Sequence, residues 1–166
     1  VWPAAGCCEL AAAAGAATLS LDLSKAYLAW ARDNLQLNGL DPQSHDFVYG
    51  AAVDWLGRFV KKKRQFDVVL LDPPSYAVGR KRKTWSVARD LGGLVAQAAR
   101  LLVPDGLLYV SVNLARLTPA RFEQQLRAGL AAAGRTGQIE PWSVSPDLRS
   151  GAGDPTYLKA AWIRLS

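Results

Sequence analysis

The amino-acid sequence predicts an α/β protein with a doubly wound, mostly parallel sheet, and three observations favour this class. Short apolar runs alternate with segments of helical period, which is typical of parallel strands joined by crossover helices. Residues 66–71 form an almost continuous apolar run, as in a central strand that is covered on both faces. The chain has 166 residues, 50% of them hydrophobic, which is the size of one domain with one core.

The first part of the chain is predicted to contain two strands and two helices. Residues 18–21 form a short strand, and a helix over 24–37 follows, because Ser24 is a good N-cap and Asn38-Gly39 ends the helix. Residues 47–49 and 53–60 are predicted as the next strand and helix. The period of the first helix places the following residues on one face, which is predicted to be buried: Tyr27, Trp30, Ala31 and Leu35.

The second part continues the alternation. Asp72-Pro73-Pro74 ends the strand 66–71, since proline has no amide hydrogen for the strand ladder. A helix over 85–102 precedes a turn at Pro104-Asp105-Gly106 and a strand over 107–112. Thr118 and Pro119 predict the start of a helix over 118–133, and two further strands are predicted at 138–144 and 157–165. A single domain over residues 1–166 is therefore expected.

The charge of the chain favours a polyanionic partner. The formal net charge is +6 and the sequence pI is about 9.6. Basic residues are concentrated in Lys61-Lys62-Lys63-Arg64 and Arg80-Lys81-Arg82-Lys83, each next to a predicted strand. Either run can also be an ordinary solvated loop. No apolar run is long enough to cross a bilayer, so we expect no membrane partner, and we expect no metal.

The ends and the cysteines indicate the context of the chain. Met is absent and the sequence opens on Val1-Trp2-Pro3, so we expect a domain excised from a longer chain whose other domains are partners. Cys7 and Cys8 are adjacent, and neighbouring cysteines rarely form a disulfide. This favours a reducing, cytoplasmic location.

Ligands of open parallel sheets bind beyond the carboxyl ends of the strands, so residues that follow strands are the first candidates. Ala4-Ala5-Gly6-Cys7 is predicted to be a turn in which the glycine lets backbone amides approach a ligand, although a simple strand-to-helix turn is an equal alternative. Asp22 directly follows the strand 18–21 and can accept hydrogen bonds from both hydroxyl groups of a ribose. A turn or N-cap role is its alternative.

Two further candidates follow later strands. In Asp72-Pro73-Pro74-Ser75-Tyr76, the prolines fix the backbone and present carbonyl groups to a planar base, while Tyr76 offers a ring for stacking. A proline pair can merely end a strand, but the acid, the prolines and the aromatic residue together are a more specific combination. Asn113 ends the strand after this one and can orient a base or serve as a cap.

Four segments together resemble a known family: LDLSKAYLAWARDNLQLNGL at 21–40, FDVVLLDPPSY at 66–76, TWSVARD at 84–90 and VPDGLLYVSVNLARL at 103–117. They are similar to the bacterial large-subunit (23S) rRNA methyltransferases, above all to the guanine-N7 branch that often forms the C-terminal half of a fusion of two methyltransferases.

The resemblance implies a Rossmann-like class I methyltransferase with a seven-stranded sheet, its first strand truncated and its last strand reversed. It implies S-adenosylmethionine as cofactor and a guanine of ribosomal RNA as methyl acceptor. The residues implied to bind the cofactor are Ala5, Gly6, Cys7, Asp22, Leu23, Ala51, Ala52 and Asp72. Those implied for methyl transfer are Asp72, Pro73, Pro74 and Tyr76. Those implied to contact RNA are Lys81, Arg82, Lys83, Arg89 and Asn113.

Chemistry separates this branch from a related one that methylates cytosine C5. Carbon methylation needs a cysteine thiolate that adds to the pyrimidine, and residues 111–113, where that branch has its cysteine, contain none. The chain also departs from the family at Pro104-Asp105-Gly106, where the family has Pro-Gly-Gly, and in two cofactor motifs. Cys7 replaces a glycine of the first motif, and 49–52 lacks the acid that binds adenine. A degenerate methyltransferase fold that only binds RNA is therefore the alternative function.

Overall fold

The computed structural model describes residues 5–78, 84–142 and 158–166. The chain divides into two compact units, residues 1–55 and 56–166. In the part of the chain that is described, no helix is both long enough and apolar enough to span a membrane.

The first unit contains α1 (Ala5–Ala13), β1 (Leu19–Asp22), α2 (Lys25–Leu37) and β2 (Asp46–Tyr49), and α3 (Ala52–Lys61) begins at its end. β1 and β2 pair in parallel, with Asp22 opposite Tyr49. The Ser24 hydroxyl accepts a hydrogen bond from the Tyr27 amide at 3.2 Å, and Gly39 follows α2 with a φ of 72°. Both predicted ends of this helix are therefore confirmed.

The predicted buried face of α2 is only partly correct. Leu28, Ala31 and Leu35 are buried, at the i, i+3, i+7 spacing of one helical stripe. Tyr27 and Trp30 are 45% and 47% exposed, so they lie beside this stripe and not within it. Tyr27 and Trp30 are large and apolar, which favours burial, but the smaller Leu28 lies in the core in their place.

The predicted turn at residues 4–7 is wrong for the residues that are described. Ala5, Gly6 and Cys7 form the first turn of α1. The helix ends at Ala13, two residues before Gly15, which has a φ of 87°. Alanine has the highest helix propensity, and the alanine-rich sequence extends the helix towards the N-terminus through Gly6. Ala4 lies outside the described residues.

Among its described residues, the second unit contains the rest of α3, a four-stranded sheet, a two-stranded hairpin and two further helices. After α3 come β3 (Phe66–Leu71), β4 (Tyr76–Val78), β5 (Thr84–Ser86), α4 (Val87–Arg100), β6 (Leu102–Asn113), α5 (Pro119–Ala133), β7 (Gly137–Trp142) and β8 (Leu158–Leu165). The sheet has the strand order β3-β6-β8-β7. β3 is parallel to β6, while β8 is antiparallel to both β6 and β7. Three strands thus run in one direction and the last strand is reversed, as expected for the α/β class.

Two local features of this unit differ from the prediction. The helix expected from residue 85 begins at Val87, because Thr84–Ser86 pairs with Tyr76–Val78 as an antiparallel hairpin. The turn expected at 104–106 is a break in register within β6, where Asp105 has a φ of 59°. A short hairpin leaves no long apolar alternation in the sequence, so periodicity could not reveal it.

The two helices of this unit pack closely because glycine lies on both sides of their contact. A Cβ atom at Gly129 of α5 would lie 2.7 Å from the carbonyl oxygen of Gly92 in α4. Thr118 caps α5 by accepting from the Arg121 amide at 3.3 Å, which confirms the predicted start. The helices bury the following residues completely: Val87, Leu91, Val95 and Leu126.

Candidate functional site

The segment Asp72–Tyr76, here called the DPPSY loop, follows β3 at its carboxyl end. Leu71 pairs with Val110 of the parallel strand β6. Parallel strands end at the same edge of a sheet, so the residues after Leu71 meet the residues after Val110. The loop and the segment 111–113 are thereby brought together, although they are far apart in sequence.

The carboxylate of Asp72 is held by a serine of the neighbouring strand. Ser111 Oγ donates a hydrogen bond to Asp72 Oδ1 at 2.8 Å. Ser111 is only 6% exposed, whereas Asp72 is exposed. The Asp72 carboxylate is thus exposed to solvent, while a buried serine of the sheet holds one of its oxygens.

A second serine fastens the other end of the loop. Ser75 Oγ donates to the carbonyl oxygen of Asn113 at 2.6 Å, and the Ser75 carbonyl accepts from the amide of Val87 at 3.1 Å. The loop is therefore tied to the end of β6 and to the start of α4. Asn113 contributes its backbone carbonyl here, and its side chain is exposed.

The remaining residues of the loop present a ring and a rigid edge. Pro73 is half-buried and Pro74 is exposed, and neither has an amide hydrogen, so their carbonyl groups are the polar atoms available. Tyr76 begins β4 and its side chain is 56% exposed. The DPPSY loop can therefore offer acceptors and an aromatic face to a planar partner.

Arg89, predicted to contact RNA, has internal partners. Its guanidinium donates from Nε and Nη2 to the two carboxylate oxygens of Asp90, at 2.8 and 2.7 Å, and Nη2 also donates to the carbonyl of Thr84 at 2.6 Å. Asp90 accepts from the amide of Ser86 at 2.8 Å and raises the pKa of Arg89. The Arg89–Asp90 pair thus joins α4 to β5. The chain from β5 back to β4 passes through Lys81, Arg82 and Lys83, which lie outside the described residues.

In the first unit, a backbone amide holds the carboxylate of Asp22 in place. The amide of Ser24 donates to Asp22 Oδ1 at 2.6 Å, so the carboxylate caps the approach to α2 in addition to ending β1. The turn role that the sequence left open is therefore observed, and the ribose role stays a prediction. Among the described residues, Asp22 Oδ2 has no hydrogen bond, and Asp22 is half-buried.

The residues around Asp22 fit an adenosine chemically. Three large apolar side chains at or after the ends of β1 and β2 are exposed: Leu23 at 57%, Tyr49 at 54% and Val53 at 43%. A carboxylate oxygen can accept from ribose hydroxyl groups, and exposed apolar side chains can cover a flat base. Tyr49 and Val53 were not predicted, although the position of Tyr49 at the end of β2 was a signal that could have found it.

The other cofactor residues predicted in this unit offer little polar chemistry. Ala51 and Ala52 are half-buried at the start of α3, and the Ala51 carbonyl accepts from the amides of Asp54 and Trp55 at 3.1 Å. Cys7 is exposed on α1. Burial raises the pKa of the neighbouring Cys8, although a hydrogen bond with Ser20 opposes this effect.

Comparisons with known proteins decide the family. The profile of the S-adenosylmethionine-dependent methyltransferases matches residues 3–154. The chain belongs to this family. The cofactor of this family is S-adenosylmethionine, and the α/β fold with a reversed last strand agrees with the family assignment.

Curated relatives and a solved structure support the same family. The methyltransferase is 39% identical over 140 residues to the ribosomal RNA large subunit methyltransferase K/L of Legionella pneumophila (strain Corby), covering 84% of this chain and 18% of that protein. It is 39% identical over 106 residues to the ribosomal RNA large subunit methyltransferase K of Neisseria meningitidis serogroup B, covering 63% of this chain and 30% of that protein. The chain thus spans under a third of either relative.

Among solved structures, the methyltransferase is similar to SMU.776, a candidate methyltransferase complexed with SAH. The TM-score is 0.79 at 29% identity, and the match covers 93% of this chain and 41% of that chain.

Proposed function

We propose that this methyltransferase transfers a methyl group to N7 of a guanine in large-subunit ribosomal RNA, in the cytoplasm. The observation that carries the proposal is the DPPSY loop with the Asp72 carboxylate fixed by Ser111. The names of the relatives support ribosomal RNA as the substrate class, and the net charge of +6 favours a polyanion.

The chemistry of guanine N7 suits a site without a nucleophile. When bound, S-adenosylmethionine supplies a methyl group on a positively charged sulfur. The N7 lone pair forms the new N–C bond as the S–C bond breaks, and the electron pair of that bond remains on sulfur. No proton has to be removed, and the purine ring acquires the positive charge. The protein then has to position the reactants about 3 to 3.5 Å apart and to stabilise the charge of the ring.

Each candidate residue has a role in this scheme. Asp72 accepts from guanine N–H groups and offsets the positive charge that develops on the ring. The carbonyl groups of Pro73 and Pro74 are further acceptors, and Tyr76 stacks on the base. Asp22 accepts from the ribose hydroxyl groups of the cofactor.

Nitrogen methylation is favoured over carbon methylation by the residues at the end of β6. Ser111 and Asn113 occupy the segment in which a C5-methylating enzyme needs a thiolate. The two cysteines of the sequence, Cys7 and Cys8, both lie in α1.

The experiment has a binding step and a transfer step. Isothermal titration with S-adenosylmethionine and with S-adenosylhomocysteine tests the cofactor, and the absence of heat up to millimolar ligand would show a degenerate fold. Transfer of labelled methyl groups to large-subunit rRNA transcripts, followed by mass spectrometry of nucleosides, tests the product. We expect 7-methylguanosine; 5-methylcytidine or no methylated nucleoside would refute the N7 assignment.

A matched pair of variants tests Asp72. We expect Asp72→Ala to lower the transfer rate at least a hundredfold while leaving the fold intact, since the anion proposed to offset the ring charge is removed. Asp41→Ala removes a carboxylate from an exposed turn between α2 and β2 and serves as the control. Equal rates for both variants would exclude the proposed role of Asp72.

A further inference from the structure

The strand β6 contains a polar residue in an unusual place. Ser111 and Lys159 are the two buried polar or charged residues in the described part of the chain. Ser111 is flanked in β6 by Val110 and Val112, which are fully buried, and the strand lies between β3 and β8. An apolar residue would ordinarily occupy such a position, because a buried hydroxyl group is unfavourable without a hydrogen-bond partner.

The partner of this hydroxyl is the Asp72 carboxylate. Ser111 Oγ donates to Asp72 Oδ1 at 2.8 Å, across the parallel pair β3 and β6. The bond engages one carboxylate oxygen, and in the described part of the structure Oδ2 has no hydrogen bond. An exposed aspartate without such a partner samples several side-chain rotamers, whereas this bond selects one.

Other hydrogen bonds hold the backbone around Ser111 and Asp72. Ser75 Oγ holds the Asn113 carbonyl at 2.6 Å, and Lys159 Nζ donates to the carbonyl of Leu114 at 2.8 Å. These bonds fix the main chain of the DPPSY loop and of the end of β6. They leave the orientation of the Asp72 side chain to Ser111.

We propose that Ser111 is a positioning residue, which holds the Asp72 carboxylate in the orientation that methyl transfer requires. The inference rests on the proposed function for its catalytic consequence, but its structural content is independent of it. Ser111 acts through Asp72 and does not itself touch the base. Its effect is therefore confined to the rate of transfer and to the rotamer of Asp72.

The first test is kinetic. Ser111→Ala is expected to lower kcat about tenfold, the scale of one hydrogen bond to a charged group, with the dissociation constant of S-adenosylmethionine within about twofold of the wild type. Ser111→Thr keeps a hydroxyl group at the same carbon and is expected to recover most of the rate. Ser44→Ala removes a comparable Ser–Asp hydrogen bond, to Asp41 Oδ2 at 3.1 Å in an exposed turn, and is expected to leave kcat unchanged. A fall in kcat for Ser44→Ala equal to that for Ser111→Ala would overturn the proposal.

The second test does not depend on activity. The three-bond couplings between Hα and Hβ of Asp72, measured by NMR, are expected to show one rotamer in the wild type and in Ser111→Thr, and averaging in Ser111→Ala. A single Asp72 rotamer in Ser111→Ala would overturn the proposal even if kcat fell, because the loss would then be a general structural effect. If the wild type transfers no methyl group to RNA, the proposed function fails, while the couplings still decide whether Ser111 positions Asp72.

Discussion

Replacing Gly129 by alanine tests the close approach of α4 and α5, the helices that follow the DPPSY loop and β6. A Cβ atom at this position would lie 2.7 Å from the Gly92 carbonyl oxygen and 2.7 Å from Val95 Cγ1. Real Cβ atoms do not approach other heavy atoms so closely, and one of the two contacts is with backbone. The helices would therefore have to move apart over a fully buried surface.

The magnitude follows from two opposing effects. Overpacking of this kind costs about 3 kcal/mol, the upper end of the usual range, while alanine gains about 1 kcal/mol over glycine in a helix interior. The net loss for Gly129→Ala is then about 2 kcal/mol. At Gly93 of α4 an added Cβ meets no atom within 4 Å, so Gly93→Ala gains about 1 kcal/mol from the same propensity alone.

The assay is thermal unfolding of both variants. For a protein of this size 1 kcal/mol corresponds to about 2 to 4 °C, so we expect Tm to fall about 4 to 8 °C in Gly129→Ala and to rise about 2 to 4 °C in Gly93→Ala. Urea unfolding should show the same order of midpoints with unchanged slopes. A rise in Tm for both variants would refute the close helix contact, because propensity alone would then explain the data.

Three further outcomes are expected. Asp22→Asn should weaken S-adenosylmethionine binding about ten- to a hundredfold in isothermal titration, because a charged acceptor is lost, and an unchanged dissociation constant would contradict the ribose role. Arg89→Ala should raise KM for RNA several-fold with unchanged cofactor affinity, since α4 loses the Arg89 bond to the Thr84 carbonyl of β5. Arg127→Ala, which breaks an exposed pair with Glu123, should change neither. Iodoacetamide at pH 8 should alkylate Cys7 before Cys8, because burial raises the pKa of Cys8 and keeps it as the unreactive thiol until higher pH. If mass spectrometry shows Cys8 modified first, the expected order of reactivity is wrong.

Features governed by neighbouring residues could be predicted from the sequence. The N-caps Ser24 and Thr118 depend on hydrogen bonds over three residues, and the end of β3 depends on the prolines that follow it. The strands also followed from local apolar runs. By contrast, the turn predicted at Gly6 is wrong, because the alanines of the same segment favour a helix that continues through this glycine.

Local sequence thus determined the α/β class, the main strands and helices, and the DPPSY loop as the candidate site. Tertiary structure decided which residues support that loop. Ser111 lies 39 positions from Asp72, and the hydroxyl meets the carboxylate only because β3 and β6 pair in parallel with one particular register. The exposure of Tyr27 and Trp30 and the internal bonds of Arg89 depended in the same way on packing between distant segments. Periodicity records which residues share a face of one element, whereas register and packing between elements depend on the whole fold.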